Sequence, residues 1–296
     1  MRLARRTVLL GGLGLVGCAP GPAPETPLPS AAAAPGQDAG ELPGTPTSAP
    51  TQVPASARAI PSREDIVAAY GARPPGEFGL EVTGVVSRLP EADAFALTFD
   101  ACGGATPKAP GMAYDAELIA ALRKYRLPAT LFLNSRWIAA NPEVAAELAL
   151  DELFELGNHG TSHVPLSVSG RGAYGIAGSR DAGEVYDEIS GAQAELTRLI
   201  GRAPRFFRAG TAHVDETSVE IAAALGLQVV NFSINADAGA TASRTQVAAQ
   251  LRGVRGGDIV IGHFNRPSGQ TAEGLIAALE SLTGAGLRPV RLGDVL

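Results

Sequence analysis

The chain has 296 residues, of which 45% are hydrophobic and 18% charged, and a formal net charge of −6. The length suits one sizeable domain with extensions. The acidic balance, stronger still once Arg2, Arg5 and Arg6 leave with a signal segment, excludes a polyanionic partner such as nucleic acid and suits a neutral or amine-bearing glycan.

The first stretch in chain order is an export signal. Basic residues Arg2, Arg5 and Arg6 precede an apolar run too short to span a bilayer, and the run ends Leu15-Val16-Gly17-Cys18. That ending resembles the lipobox of bacterial lipoproteins. It implies cleavage after residue 17, lipidation of Cys18, and an exported protein anchored to the cell envelope. Residues 18–62 are dominated by Pro, Ala, Gly, Ser and Thr without apolar periodicity, which predicts a disordered tether. With Cys18 lipidated, Cys102 is the one remaining cysteine, so no intrachain disulfide forms.

Residues 63–296 read as a single globular domain. Residues 94–100 form an apolar strand ending in Asp100. Residues 115–125 carry Leu118, Ile119, Leu122 and Tyr125 at helical spacing, and Pro128 stops that helix. Strand 129–133, a helix opened by Pro142, and a short strand 154–156 follow. Residues 181–200 are the longest helical pattern. Then come strand 205–208, helix 217–225 closed by Gly226, strand 227–232, helix 245–251, strand 258–262, helix 271–282 and strand 288–292. Such alternation predicts an α/β fold with a parallel sheet, and its repetition favours a barrel. No GxGxxG or GxxxxGK[ST] follows a strand, so nucleotide binding is set aside.

The polar residues fall at strand ends. Asp100 closes the first strand and the pair His159/His163 follows the third. Arg208 ends the strand at 205, with His213 beyond it; Asp237 follows strand 227–232, and His263 closes strand 258–262. In a parallel α/β barrel these ends share one rim, where active sites form. His159 and His163, four apart, lie on one face if the backbone turns helically there, and could share a divalent metal, zinc by preference. An acid, an arginine and a further histidine beside them form a constellation for metal-assisted hydrolysis.

These residues resemble the polysaccharide deacetylases with a NodB-like homology domain. Leu97-Thr98-Phe99-Asp100 is similar to the family's first motif, normally TFDD; His159 through Pro165 matches its HxxxH motif. Arg208 matches the third motif's arginine, and Ile261-Gly262-His263 the last motif. The resemblance implies a distorted (β/α) barrel with fewer than eight strands and a polysaccharide substrate. It also implies roles: metal on His159 and His163, Asp100 as general base, Arg208 tuning Asp100, and His263 as general acid, with Asp237 tuning His263.

The chain also departs from the pattern. The family's second aspartate, its third metal ligand, is Ala101 here. Cys102, His213 and Asp237 are the substitutes within reach in sequence, with His213 ranked ahead of Cys102, a residue type that commonly packs as a small apolar side chain. Capping a turn is the competing role for Asp237. The favoured reading is an envelope-anchored, metal-dependent N-deacetylase. Its rivals are a catalytically impaired glycan-binding or scaffold lipoprotein that has lost its metal site, and an amidase acting on a non-glycan substrate. The glycan and the oligomeric state stay open.

Overall fold

The computed structural model describes residues 59–104, 111–284 and 286–296. The signal segment, Cys18 and most of the tether lie outside them. The described chain opens with α1 (Arg63–Tyr70), started by a reciprocal cap between Ser62 and Asp65, and β1 (Phe78–Gly79). Next come β2 (Ala94–Ala101), α2 (Ala116–Lys124), β3 (Ala129–Leu133), α3 (Ser135–Ala140), α4 (Pro142–Leu150), β4 (Phe154–Asn158) and α5 (Ala182–Ile200). The remainder is β5 (Phe206–Phe207), β6 (Val214–Asp215), α6 (Glu216–Ala224), β7 (Gln228–Val229), β8 (Ile234–Asn235), α7 (Arg244–Arg252), β9 (Ile259–His263), α8 (Thr271–Gly284) and β10 (Arg288–Val290).

Seven strands stand side by side in the order β7-β5-β4-β3-β2-β9-β8, every pair parallel. β10 adds no further position. Ala96 pairs with Val290 of β10 and also with Ile259 of β9, so β10 lies on the opposite edge of β2, in line ahead of β3, whose own pairing starts at Leu97. The sheet curls into a half-barrel clothed in helices, a distorted (β/α) barrel with seven strand positions, in line with the fewer than eight that the resemblance implies. Its edge strands β7 and β8 are joined directly by residues 230–233 and do not pair. Residues 86–89 span that opening: Val86 N–H donates to Val229 (3.0 Å), Asn231 N–H donates to Val86 (2.8 Å), and Leu89 N–H donates to Gly257 (2.8 Å).

Strand alternation divides the core. From β2, Phe95, Leu97, Phe99 and Ala101 meet α2 and α8 through Leu118, Ile119, Leu122 and Leu275, whereas Ala94 and Ala96 pack on the inner face with Phe132, Phe206 and Ile259. Helix ends follow local chemistry. Asp181 caps α5 by accepting from Glu184 N–H at 2.9 Å, and Gly201, at φ +77°, closes it. Five elements have no counterpart in the sequence pattern, α1, β1, α3, β6 and β8; the last four, at two to six residues, are too short to show a period. The strand expected over 227–232 ends early, because the carbonyls of Val230 and Asn231 turn to accept from Arg208.

Leu131 sits fully buried in the central strand β3. Leu131→Ala should lower unfolding free energy by about 2–5 kcal/mol without changing the fold, read as a fall in the denaturant midpoint at unchanged slope.

Candidate active site

The C-terminal ends of β2, β4, β5, β8 and β9 bring Asp100, His159, Arg208, Asp237 and His263 to one rim. There a cleft of about 570 Å³ is lined by Asp100, Cys102, His163, Tyr174 and His263 among others. At its floor, the fully buried Arg208 donates from Nη1 to Asp100 Oδ1 (2.7 Å), from Nε to the Val230 carbonyl (3.0 Å) and from Nη2 to the Asn231 carbonyl (3.0 Å). Its guanidinium carbon lies 4.3 Å from the centre of the Phe132 ring. Burial pushes the Asp100 carboxyl up; Arg208 first, then His159 and His263, more than reverse this, so Asp100 is held below the usual carboxylate range.

His159 stands beside this pair, with Nε2 3.5 Å from Asp100 Oδ2. Its Nδ1 lies 2.9 Å from the Arg208 carbonyl. A carbonyl only accepts, so Nδ1 carries the proton and Nε2 presents its lone pair to the cleft. Burial disfavours charge on His159, yet Asp100 and Cys102 raise its pKa. The surroundings thus favour a cation at Nε2, whether proton or metal. The His163 ring stands edge-on to His159, with centroids 4.9 Å apart, and its Nε2 is buried without a hydrogen-bond partner among the described residues.

The histidine pair is not helical, contrary to the spacing argument. Residues 159–163 form a loop in which Gly160 (φ +77°) and His163 (φ +59°) take left-handed conformations. Glu188, buried on α5, holds it: its carboxylate accepts from Ser162 N–H (3.0 and 2.8 Å) and Val164 N–H (3.4 Å). A Cβ at position 160 would lie 2.3 Å from Glu188 Oε1, so only glycine fits. Burial raises the Glu188 carboxyl despite these bonds.

Across the cleft, Asp237 follows β8 fully buried. It accepts from His263 Nδ1 (2.8 Å), His263 N–H (2.7 Å), Thr271 Oγ1 (2.9 Å) and Gly239 N–H (3.2 Å). Burial opposes charge on both partners and their mutual attraction prevails: Asp237 is lowered, and His263 is raised well above the usual 6.5.

A family model described as polysaccharide deacetylase matches residues 88–230. Over those residues the globular part is similar to the polysaccharide deacetylase family. Similar curated proteins include YlxY of Bacillus subtilis, an uncharacterized protein 22% identical over 57% of this chain and 50% of its own length. Another is a chitooligosaccharide deacetylase of a Bradyrhizobium species, 26% identical over 52% of this chain and 66% of its own. The chain therefore spans about half the length of the first relative. Among solved structures, the peptidoglycan N-acetylglucosamine deacetylase Bc1960 superposes with a TM-score of 0.59 at 21% identity, covering 72% of this chain and 92% of that one. BA3943 of Bacillus anthracis, a pseudoenzyme of carbohydrate esterase family 4, superposes at 0.58 and 19% identity, over 71% and 67%. At these identities the superpositions establish the fold.

Of the six residues singled out from sequence, Asp100, His163 and His263 line the cleft, and Arg208, His159 and Asp237 stand against Asp100 and His263 behind them. Asp237 both partners His263 and caps its own turn, so the two roles weighed for it coexist. Neither it nor His213 joins the histidine pair. Asp237 faces His263, while His213 Nδ1 bonds the Thr211 carbonyl (2.7 Å) and its ring packs between Phe78 and Tyr174. The lower-ranked Cys102 lies there instead, its Sγ 3.6 Å from His159 Nε2. Glu188 escaped notice although the sequence marks it: it shares the apolar stripe of helix 181–200 with Val185, Ile189 and Ala192. An acid on a buried helix face requires buried partners.

Removing the Glu188 carboxylate strands the loop's N–H groups. Glu188→Ala should cost about 1–3 kcal/mol in chemical denaturation, and should loosen His163. The His263 ring is expected to titrate by NMR above 6.5, and in Asp237→Asn its midpoint should fall below the wild type's because the largest opposition to burial is then gone. The pair's contribution to stability has matching signs. His263's part is complete below 6.5 and lost as pH rises through its higher folded value; Asp237's part is present above 3.8 and lost as pH falls through its lower folded value.

Proposed function

We propose that this domain is a metal-dependent hydrolase that removes N-acetyl groups from an envelope or extracellular polysaccharide. The observation that carries the reading is the division of labour across one cleft. An ionised, Arg208-bound Asp100 faces a cationic, Asp237-bound His263, with two histidine nitrogens between strand ends free to bind a metal. Two titratable groups driven apart in pKa are what acid–base chemistry at one pH requires.

The donor set fits a divalent ion. His159 and His163 supply imidazole nitrogens, one oriented by the Arg208 carbonyl and the other buried without a partner. Zinc is the proposed ion. Bound there, it would make the acetamide carbonyl more electrophilic and ease deprotonation of the attacking water. The chain's own residues do the rest. Asp100 accepts the proton of that water. Arg208 keeps Asp100 ionised and fixes its free oxygen toward the cleft. His263 gives its proton from Nε2 to the departing amine, because Nδ1 is held by Asp237. The products are acetate and a free amino sugar.

The lip of the cleft supports a sugar substrate. Ala173 and Ile176 exchange backbone bonds (3.0 and 2.9 Å) around Tyr174 and Gly175, both at positive φ, giving a two-residue hairpin. It holds Tyr174 77% exposed, edge-on to the His213 ring at 5.1 Å. A rigid, open aromatic face suits the apolar face of a pyranose ring. At the other end of the chain, the lipobox ending at Cys18 supports an envelope-anchored enzyme. Cys18→Ser should move it from the membrane fraction to the soluble one.

A second reading, a glycan-binding protein without activity, draws support from Ala101 and from the likeness to a pseudoenzyme. Acetate release from chitooligosaccharides, peptidoglycan and an exopolysaccharide, with and without chelator, separates the two. Asp100→Asn should lower the rate by about 10²–10⁴-fold while leaving the melting curve near that of the wild type. Tyr174→Ala should raise KM roughly two- to tenfold and lower kcat less. Acetate release equal in wild type and Asp100→Asn would sink the mechanism.

A further inference from the structure

We infer that Cys102 is the third protein ligand of the metal centre, which makes it a His₂Cys thiolate site selective for thiophilic ions. This rests on reading His159 and His163 as metal ligands and deepens it. The family pattern places a carboxylate at position 101, but here the backbone gives that position no view of the cleft. Ala101 is the last residue of β2, fully buried beside Phe99 on the helix-facing side of the strand. Carried one residue further, the alternation returns the next side chain to the face of Asp100, and both Asp100 and Cys102 line the cleft. The chain then leaves at once. Gly103 has φ +66°, and a Cβ there would lie 2.9 Å from Trp137 N, so the turn fixes where Cys102 ends the strand.

The donors already stand at a shared-ion spacing. The Sγ of Cys102, with one ring nitrogen each from His159 and His163, forms a group whose atoms all lie within 4.8 Å of one another. Cys102 Sγ and His159 Nε2 are 3.6 Å apart. Two donors on one tetrahedral zinc, with Zn–S near 2.3 Å and Zn–N near 2.0–2.1 Å, stand about 3.5 Å apart. Two further observations point to a ligand independently of the cysteine. His159 Nδ1 is committed to a carbonyl, which aims Nε2 inward, and the buried His163 Nε2 has no partner among the described residues. His213 and Asp237 are both engaged elsewhere.

Charge and chemistry follow directly. Binding breaks the Cys102 S–H bond, forms a sulfur–metal bond and releases the proton to solvent. A thiolate carries the same single negative charge as the carboxylate it replaces, so the site's net charge is kept. Its softness differs: sulfur favours Zn²⁺ and Cd²⁺ over Mn²⁺ and Mg²⁺.

The test uses the full chain, stripped of metal, and Co²⁺ and Cd²⁺ as probes. Wild type should develop a sulfur-to-cobalt charge-transfer band at one equivalent, and Cd²⁺ should protect Cys102 from iodoacetamide as mapped by peptide mass. Cys102→Ser should keep its circular dichroism, lose the band and bind Zn²⁺ at least about tenfold more weakly. The loss also shows that Cys18 is not the source of the band. Cys102→Asp should regain binding without the band and bind Mn²⁺ relatively better than wild type. Cobalt binding with no charge-transfer band, or Cys102→Ser binding Zn²⁺ as tightly as wild type, overturns the ligand assignment and leaves the deacetylase reading standing. Acetate release that resists chelator but is abolished by iodoacetamide overturns it too, making Cys102 a nucleophile. Failure of every protein to bind any of these ions overturns the metal-dependent function and the ligand assignment together.

Discussion

The contact on which the site depends is the buried pair of Arg208 and Asp100. Removing two charges from water costs several kcal/mol per ion unless every polar atom is answered. Here Arg208 is fully buried and spends Nε and both Nη atoms on Val230, Asp100 and Asn231, with the Phe132 ring against its face. Two of those bonds go to residues 230 and 231, in the link between unpaired edge strands β7 and β8. Together with the backbone bonds of residues 86–89, one guanidinium thus pins that link, and it holds Asp100 ionised. Its own backbone carbonyl selects the tautomer of His159. A change at Arg208 therefore reaches the sheet edge, the base and the histidine pair at once, which is why a rate measured on such a variant says little about any single role.

The fold was legible where periodicity was long. Helix 181–200 and strands 94–100 and 129–133 emerge almost residue for residue, because caps such as Asp181 and Gly201 and stops such as Pro128 sit at their ends. Site residues were legible because an α/β barrel puts strand ends on one rim, so position along each strand sufficed for Asp100, Arg208 and His263. Local backbone was not. Spacing of four suggested a helical turn for His159 and His163, whereas Gly160 and His163 at positive φ make a loop, and its shape comes from Glu188, 25 residues beyond His163 in sequence. Nothing in the loop's own residues announces that brace.

The two sides of the cleft show how environment divides like groups into unlike roles. Asp100 and Asp237 are both buried carboxylates, and both are held ionised by a cation. Asp237 has four donors on its oxygens and none to spare for substrate. Asp100 has one oxygen on Arg208 and the other toward the cleft, 3.5 Å from His159. The first is committed to a histidine, and the second keeps an oxygen open to the cleft. A protein that only binds glycan has no use for a histidine kept cationic against burial. That buried pair is the strongest physical argument for chemistry in a chain that lacks the family's usual second aspartate.

The missing aspartate itself has a geometric reading. Side chains of a strand alternate, so two adjacent residues reach the same cleft only where the strand breaks between them. In this chain β2 stays paired through Ala101, which matches Leu133 of β3 in register, and no such break occurs. A carboxylate at 101 would point into Phe99, Trp137 and their neighbours, where an unpaired charge is costly. Alanine belongs in that core, and the donor proposed above, Cys102, stands at the first position past the strand, on the cleft side.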